Sequence, residues 1–127
     1  MKMNHKVAIA LVAGAAIGGA AIQGLHAQAK PPVYVVIDIN EITDADGYKV
    51  LSQRPSASTE TAKLGGRYIS RGGKITALDG TAPRRVVIIA FDSTEKAQAW
   101  NDSAGQKEVI AIRTKTTKSR SYIVEGM

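Results

Sequence analysis

The chain has 127 residues, a formal net charge of +6, no cysteine and two histidines. Both histidines, His5 and His26, fall within the first 29 residues, so the remainder holds no ligand for zinc sites of the usual kind, no histidine for haem and no Ser-His or Cys-His nucleophile. Carboxylates, tyrosines, lysines and arginines are left for chemistry, and neither a metal nor a cofactor is expected.

Residues 1–29 have the three parts of an export signal in order. Lys2 and Lys6 supply the charged start, Val7 to Ile22 has no charged or strongly polar residue, and Ala27-Gln28-Ala29 puts small residues at the two positions a signal peptidase reads. The apolar run approaches the roughly 20 residues of a spanning helix. Gly14, Gly18, Gly19 and many alanines make it weakly hydrophobic, so cleavage after Ala29 is expected over an uncleaved anchor, with no stable membrane insertion afterwards. Without an arginine pair in the charged region, the expected path is the general secretion route to a periplasmic or secreted location. Losing Lys2 and Lys6 lowers the formal charge from +6 to +4 over the 98 residues from Lys30 to Met127, which is one domain's worth of chain. Lacking disulfides, such a domain must rely on packing or association.

Val33 to Ile39 (VYVVIDI) reads as a strand, with Val33, Val35, Ile37 and Ile39 on one face and Tyr34, Val36 and Asp38 on the other. Thr43 and Asp46 fit a capping box for a helix starting near Asp44, with Tyr48 and Leu51 on its apolar side. Pro55 should break that helix, and a more polar one, Ser56 to Leu64, should end at Gly65 as a left-handed cap. Then comes GGRYISRGG: a short strand, Arg67 to Arg71, framed by glycine pairs. Gly72-Gly73 fits either a hairpin turn or a bulge in one long strand resuming at Lys74 and running to Leu78.

Asp79-Gly80 starts a turn, and Arg85 to Phe91 (RVVIIAF) is apolar on both faces, as a central strand should be. Asp92 and Glu95 give a second capping pattern for a helix from Ser93 to about Asp102, with Ala97 and Trp100 inward. Gly105 marks a bend before a helix from about Gln106 to Thr116, which carries Val109, Ile110 and Ile112. Its cationic end is formed by Arg113, Lys115 and Lys118. Ser121 to Glu125 is the last strand.

This order is βαββαβ, an α+β arrangement in which right-handed crossovers put both helical layers on one face of an antiparallel sheet. The other face carries Val86, Ile88, Ala90, Tyr34 and Val36 and needs a cover. A second copy of the same sheet is the simplest one, so a homodimer is expected.

Several short stretches also resemble a known family when taken in order. They are Tyr34 to Ile37, Asp44 with Tyr48, Gly65-Gly66-Arg67, Arg71-Gly72-Gly73 and Asp79-Gly80. Arg84-Arg85 before a valine-isoleucine strand, Phe91-Asp92-Ser93, Ala99-Trp100, Ser103 and Arg113 complete the set. Over residues 33–126 they resemble the family called domain of unknown function 1330, in the dimeric α/β-barrel superfamily. The resemblance implies a ferredoxin-like fold, dimerisation and a pocket between sheet and helices, but no established activity. Relatives in the wider superfamily include cofactor-free monooxygenases and small isomerases. Where the family usually has a tyrosine two residues after the serine that follows the tryptophan, this chain has Gly105.

Arg67 and Arg71 should share a strand face with Ile69, where their guanidiniums can clamp a carboxylate or phosphate, pair with chain carboxylates or point to solvent. Asp38 on an interior face needs a cationic partner, for which an arginine is expected; the other reading is a proton acceptor. Tyr48, Trp100 and Arg113 can wall one pocket and fix an acidic or enolic ligand there, or serve helix packing and the helix dipole. The stretch RTKTTKSR is basic but lacks interleaved aromatic residues, so nucleic acid is not an expected partner.

The reading is an exported homodimeric domain that binds a small anionic or carbonyl-bearing ligand, with Arg71, Arg113, Trp100, Tyr48 and Arg67 as ligand contacts. One alternative is a cofactor-free enzyme in which Asp38 or Tyr48 moves a proton beside an arginine. Another is a module that serves assembly alone.

Overall fold

The structure is a computed structural model that describes residues 30–54 and 56–127, the side chains of Ser56 and Ala57 excepted. The export signal over residues 1–29 and the break at Pro55 lie outside the described residues. In chain order the elements are β1 (Val33–Ile42), α1 (Ala45–Ser52), α2 (Ser56–Lys63), β2 (Arg67–Arg71), β3 (Arg85–Phe91), α3 (Thr94–Asn101), α4 (Ala104–Thr116) and β4 (Thr117–Glu125). The strands form one antiparallel sheet in the order β2-β3-β1-β4. The arrangement is the expected ferredoxin-like βαββαβ, α+β in class.

Strand alternation decides where the core lies. Val35 stands opposite Ile89 and Ile37 opposite Val87, so their side chains share one face. Val33, Ile39 and Phe91 extend that layer, and Ala97 and Trp100 from α3 pack onto it. The rings of Phe91 and Trp100 lie 5.4 Å apart at 45°, within the spacing at which tilted aromatic pairs attract. On the opposite face Tyr34, Val36, Val86 and Ile88 are only half-buried, and Tyr122 and Val124 are each 46% exposed. No helix among the described residues is long and apolar enough to cross a membrane.

Local chemistry moves several boundaries from their expected places. Asp44, not Thr43, caps α1: its carboxylate accepts from the Gly47 amide at 3.0 Å, while the Thr43 and Asp44 amides both donate to the Thr116 carbonyl. Ser93, not Asp92, caps α3 by accepting from the Lys96 amide. The bend expected at Gly105 sits instead at Asp102 and Ser103. The Ser103 hydroxyl caps α4, so Gly105 is already inside that helix.

The α2 helix does end at Gly65, whose φ is +88°, and the Gly66 amide closes the turn onto the Thr61 carbonyl at 2.8 Å. Neither reading of Gly72-Gly73 holds. The strand stops at Arg71, Gly72 turns the chain with φ +69°, and no strand resumes before Arg85. Residues 72–84 form a loop in which Leu78 is 99% exposed, so nothing in the protomer pairs with the expected Lys74 to Leu78 strand.

Gly66 is required by close approach: a Cβ there would stand 2.6 Å from Thr61 Cγ2 and 2.8 Å from Phe91 Cζ. Gly66→Ala is therefore expected to destabilise the fold by about 1–3 kcal/mol, the usual effect of overfilling a packed core. Gly73→Ala, whose Cβ would find only Ser70 Oγ at 3.9 Å, should stay within about 0.5 kcal/mol of the parent. Urea midpoints at one protein concentration check both, and equal midpoints would contradict the packing described.

Candidate functional site

Between the sheet and its helices lies a cavity of about 90 Å³. At about 30 Å³ for each water of the liquid, it has room for roughly three waters. Its floor is the core face of the sheet at the end where β3 begins, with Ile37, Ile39, Val87 and Ile89. Tyr48, Leu51 and Ser52 of α1 roof it together with Gln106, Val109 and Arg113 of α4. Trp100 closes one side. The indole donates to Thr61 Oγ1 at 3.1 Å, and that oxygen lies 3.3 Å from the Tyr68 hydroxyl. This fixes two of the aromatic walls relative to each other.

Arg113 dominates the electrostatics. Helical spacing places Gln106, Val109 and Arg113 on one inward stripe of α4, and the buried side chains of this helix are Gln106, Arg113 and Thr116. Arg113 is 8% exposed, and among the described residues its guanidinium has no hydrogen-bond acceptor and no carboxylate; none of its nitrogens is fully buried and unsatisfied, so they stay open to the cavity. Burial lowers its pKa from the ordinary arginine value, and nearby Tyr48 partly offsets this. Arginine remains a cation at any ordinary pH. The result is a buried positive charge facing a hollow.

Two further arginines line the cavity, the exposed Arg71 and the half-buried Arg85. The guanidinium of Arg71 lies over the Tyr68 ring, 4.6 Å from its centre, and donates to Ser58 Oγ. Arg85 packs on the bare Cα of Gly72, where a Cβ would come within 3.1 Å of the guanidinium. No Asp or Glu lines the cavity. Elsewhere Arg54 pairs with Glu108 at 2.8 Å, Arg67 with Asp92 at 3.6 Å and Arg120 with Asp38 at 3.3 Å.

Of the residues singled out from sequence, Tyr48, Arg71, Trp100 and Arg113 come together here. Arg67 does not. The β2–β3 register slips between Tyr68 and Ser70, which leaves Ile69 as a bulge, so Arg67 stands opposite Ala90 but Arg71 stands opposite Val87. Ala90 and Val87 point to opposite faces of β3, and so do the two arginines. The shared face expected for them is corrected accordingly.

Asp38 lies opposite Val86, on the sheet face away from the cavity. Arg120 holds its Oδ2, as expected of a structural ion pair, while its Oδ1 is buried without a partner among the described residues. Arg85, Gln106 and Tyr68 were not singled out from sequence as ligand contacts. Arg85 was within reach, because alternation along RVVIIAF puts it on the face of Val87 and Ile89.

A wider hollow of about 510 Å³ runs between α3 and β4, lined in part by Gln98, Asn101, Asp102 and Tyr122. Its one charged side chain, Asp102, is exposed. It lacks the buried charge that distinguishes the first cavity.

No curated protein matches the chain. Among solved structures it is similar to a protein of unknown function from Rhodopseudomonas palustris, at 14% identity and a TM-score of 0.61, over 77% of this chain and 84% of that one. It is also similar to SnoaB, a cofactor-independent oxygenase from Streptomyces nogalater, at 10% identity and a TM-score of 0.54, over 76% of this chain and 94% of that one. At these identities the likeness establishes the fold. The model of the family described as domain of unknown function (DUF1330) matches residues 32–127, and the chain belongs to that family.

Proposed function

We propose that this chain forms an exported homodimer that binds a small anionic or carbonyl-bearing ligand in the cavity between sheet and helices. The observation that carries the reading is Arg113, a buried guanidinium without an anion. Withdrawing a charge from water costs free energy unless a counter-charge offsets it, and among the described residues Arg113 has no such counter-charge. A carboxylate or enolate oxygen would supply the missing acceptor, with Tyr48 and Trp100 as apolar walls.

The apolar second face of the sheet supports the dimer. Each Å² of apolar surface withdrawn from water contributes about 25 cal/mol, and Val36, Ile88, Tyr122 and Val124 together offer a continuous patch to a second copy. Export rests on the pattern of residues 1–29. A second reading, proton transfer by a cofactor-free enzyme, draws its support from Tyr48, which lines the same cavity as Arg113. Asp38, across the sheet, has no such position.

Arg113→Met should leave the ligand-free protein as stable as the parent or about 1 kcal/mol more stable, since it removes an unpaired buried charge. The same change should abolish the rise in melting temperature that small carboxylic acids give the parent. Melting curves with and without acid check this, and a rise that survives in the variant would overturn the assignment. Ile88→Asp should convert the dimer to monomer at micromolar concentration, read by sedimentation. Mass spectrometry of the exported product should find Lys30 at its start.

A further inference from the structure

Three arginines and, among the described residues, no carboxylate line the cavity, and the arginines come from two sides. Arg113 descends from the helical roof, whereas Arg71 and Arg85 stand on the sheet floor at the end of β2 and the start of β3. The register places Arg71 beside Val87 and Arg85 beside Ile39, in neighbouring rows of the same face. Both floor arginines are held in place before any ligand arrives. The Tyr68 ring and Ser58 Oγ orient Arg71, and the bare, left-handed Gly72 lets the Arg85 guanidinium lie against the backbone.

Arg54, Arg67 and Arg120 are each paired with a carboxylate, while the three around the cavity have none among the described residues; Arg84, the remaining one, is on the loop and does not line the cavity. A monoanion answering Arg113 would leave the exposed Arg71 and the half-buried Arg85 without a counter-charge, and the repulsion is strongest between the two less exposed cations, Arg85 and Arg113. A ligand with a second acidic group removes that penalty.

We propose that the cavity is selective for a small dianionic acid. One acidic group meets Arg113, the second meets Arg71 and Arg85, and a short apolar or unsaturated body lies between them against Tyr48 and Trp100. The inference rests on the reading that the cavity binds acids, and it names the class of acid.

Titration calorimetry on the full-length product after export, using fumarate and crotonate as probes, tests it. The two share a body of nearly the same shape, and crotonate has a methyl group where fumarate has its second carboxylate. Fumarate is expected to bind about tenfold or more tightly than crotonate, the effect of one charge-assisted contact. The double variant Arg71→Gln, Arg85→Gln should bring fumarate down to the affinity of crotonate. Equal affinities in the parent, or tighter binding of crotonate, would overturn the dianion proposal and leave acid binding standing. A fumarate preference that persists in the double variant would overturn the role given to the floor arginines. If neither probe binds at millimolar concentration, the dianion proposal and the acid-binding reading both fall.

Discussion

A sheet with apolar side chains on both faces must have both covered, and the described residues supply helices for only one. That constraint orders the rest of the molecule. Val33, Val35, Ile37, Ile39, Val87, Ile89 and Phe91 form the covered face and receive Ala97 and Trp100. The uncovered face keeps Val36, Ile88, Tyr122 and Val124 at or near solvent, and this is why a second copy belongs to the proposed biological unit. Asp38 and Arg120 pair across this face between β1 and β4. An ion pair set into an apolar surface does more for register than for stability.

The roof itself is incomplete, and the cavity follows from that. No residue of α1 is fully buried, although Tyr48 and Leu51 face inward. The α4 helix buries Gln106, Arg113 and Thr116 where leucine or isoleucine would stabilise the core more. A helix that puts polar groups on its inner stripe departs from the pattern that packing alone would select, and such departures cluster at functional sites. Packing is denser at the Phe91 end, where Trp100 is anchored to Thr61. The cavity is thus walled by a rigid aromatic corner on one side and a lightly seated helix on the other.

Much of this was legible in the amino-acid order. The run VYVVIDI reads as a strand and RVVIIAF, apolar on both faces, as a central one, and helical spacing turns Trp100 inward. Arg113 and Tyr48 were named as pocket residues for their chemistry. Single-residue events were not legible. The bulge at Ile69 inserts one residue into a five-residue strand and sends Arg71 to the face opposite Arg67; strict period-two counting cannot register such a slip. The caps were each displaced by one position because adjacent residues, Thr43 with Asp44 and Asp92 with Ser93, offer equivalent acceptors, and backbone approach decides between them. Gly105 suggested a break, but the Ser103 cap starts the helix before it. Gln106 shares the inward stripe of Val109 and Arg113, but a polar side chain at the start of a helix gives no sign in the sequence that it is buried.

The central claim is that Arg113 waits for an acid. The most direct measurement is the nuclear magnetic resonance signal of its Nε–H group, followed while a small dicarboxylate is added to the protein. On this account the Arg113 signal moves and becomes protected from exchange with water as the acid binds, while the signals of the already paired Arg54 and Arg120 stay where they are. An Arg113 signal that does not change at saturating acid, or one that moves no more than those two, would contradict it.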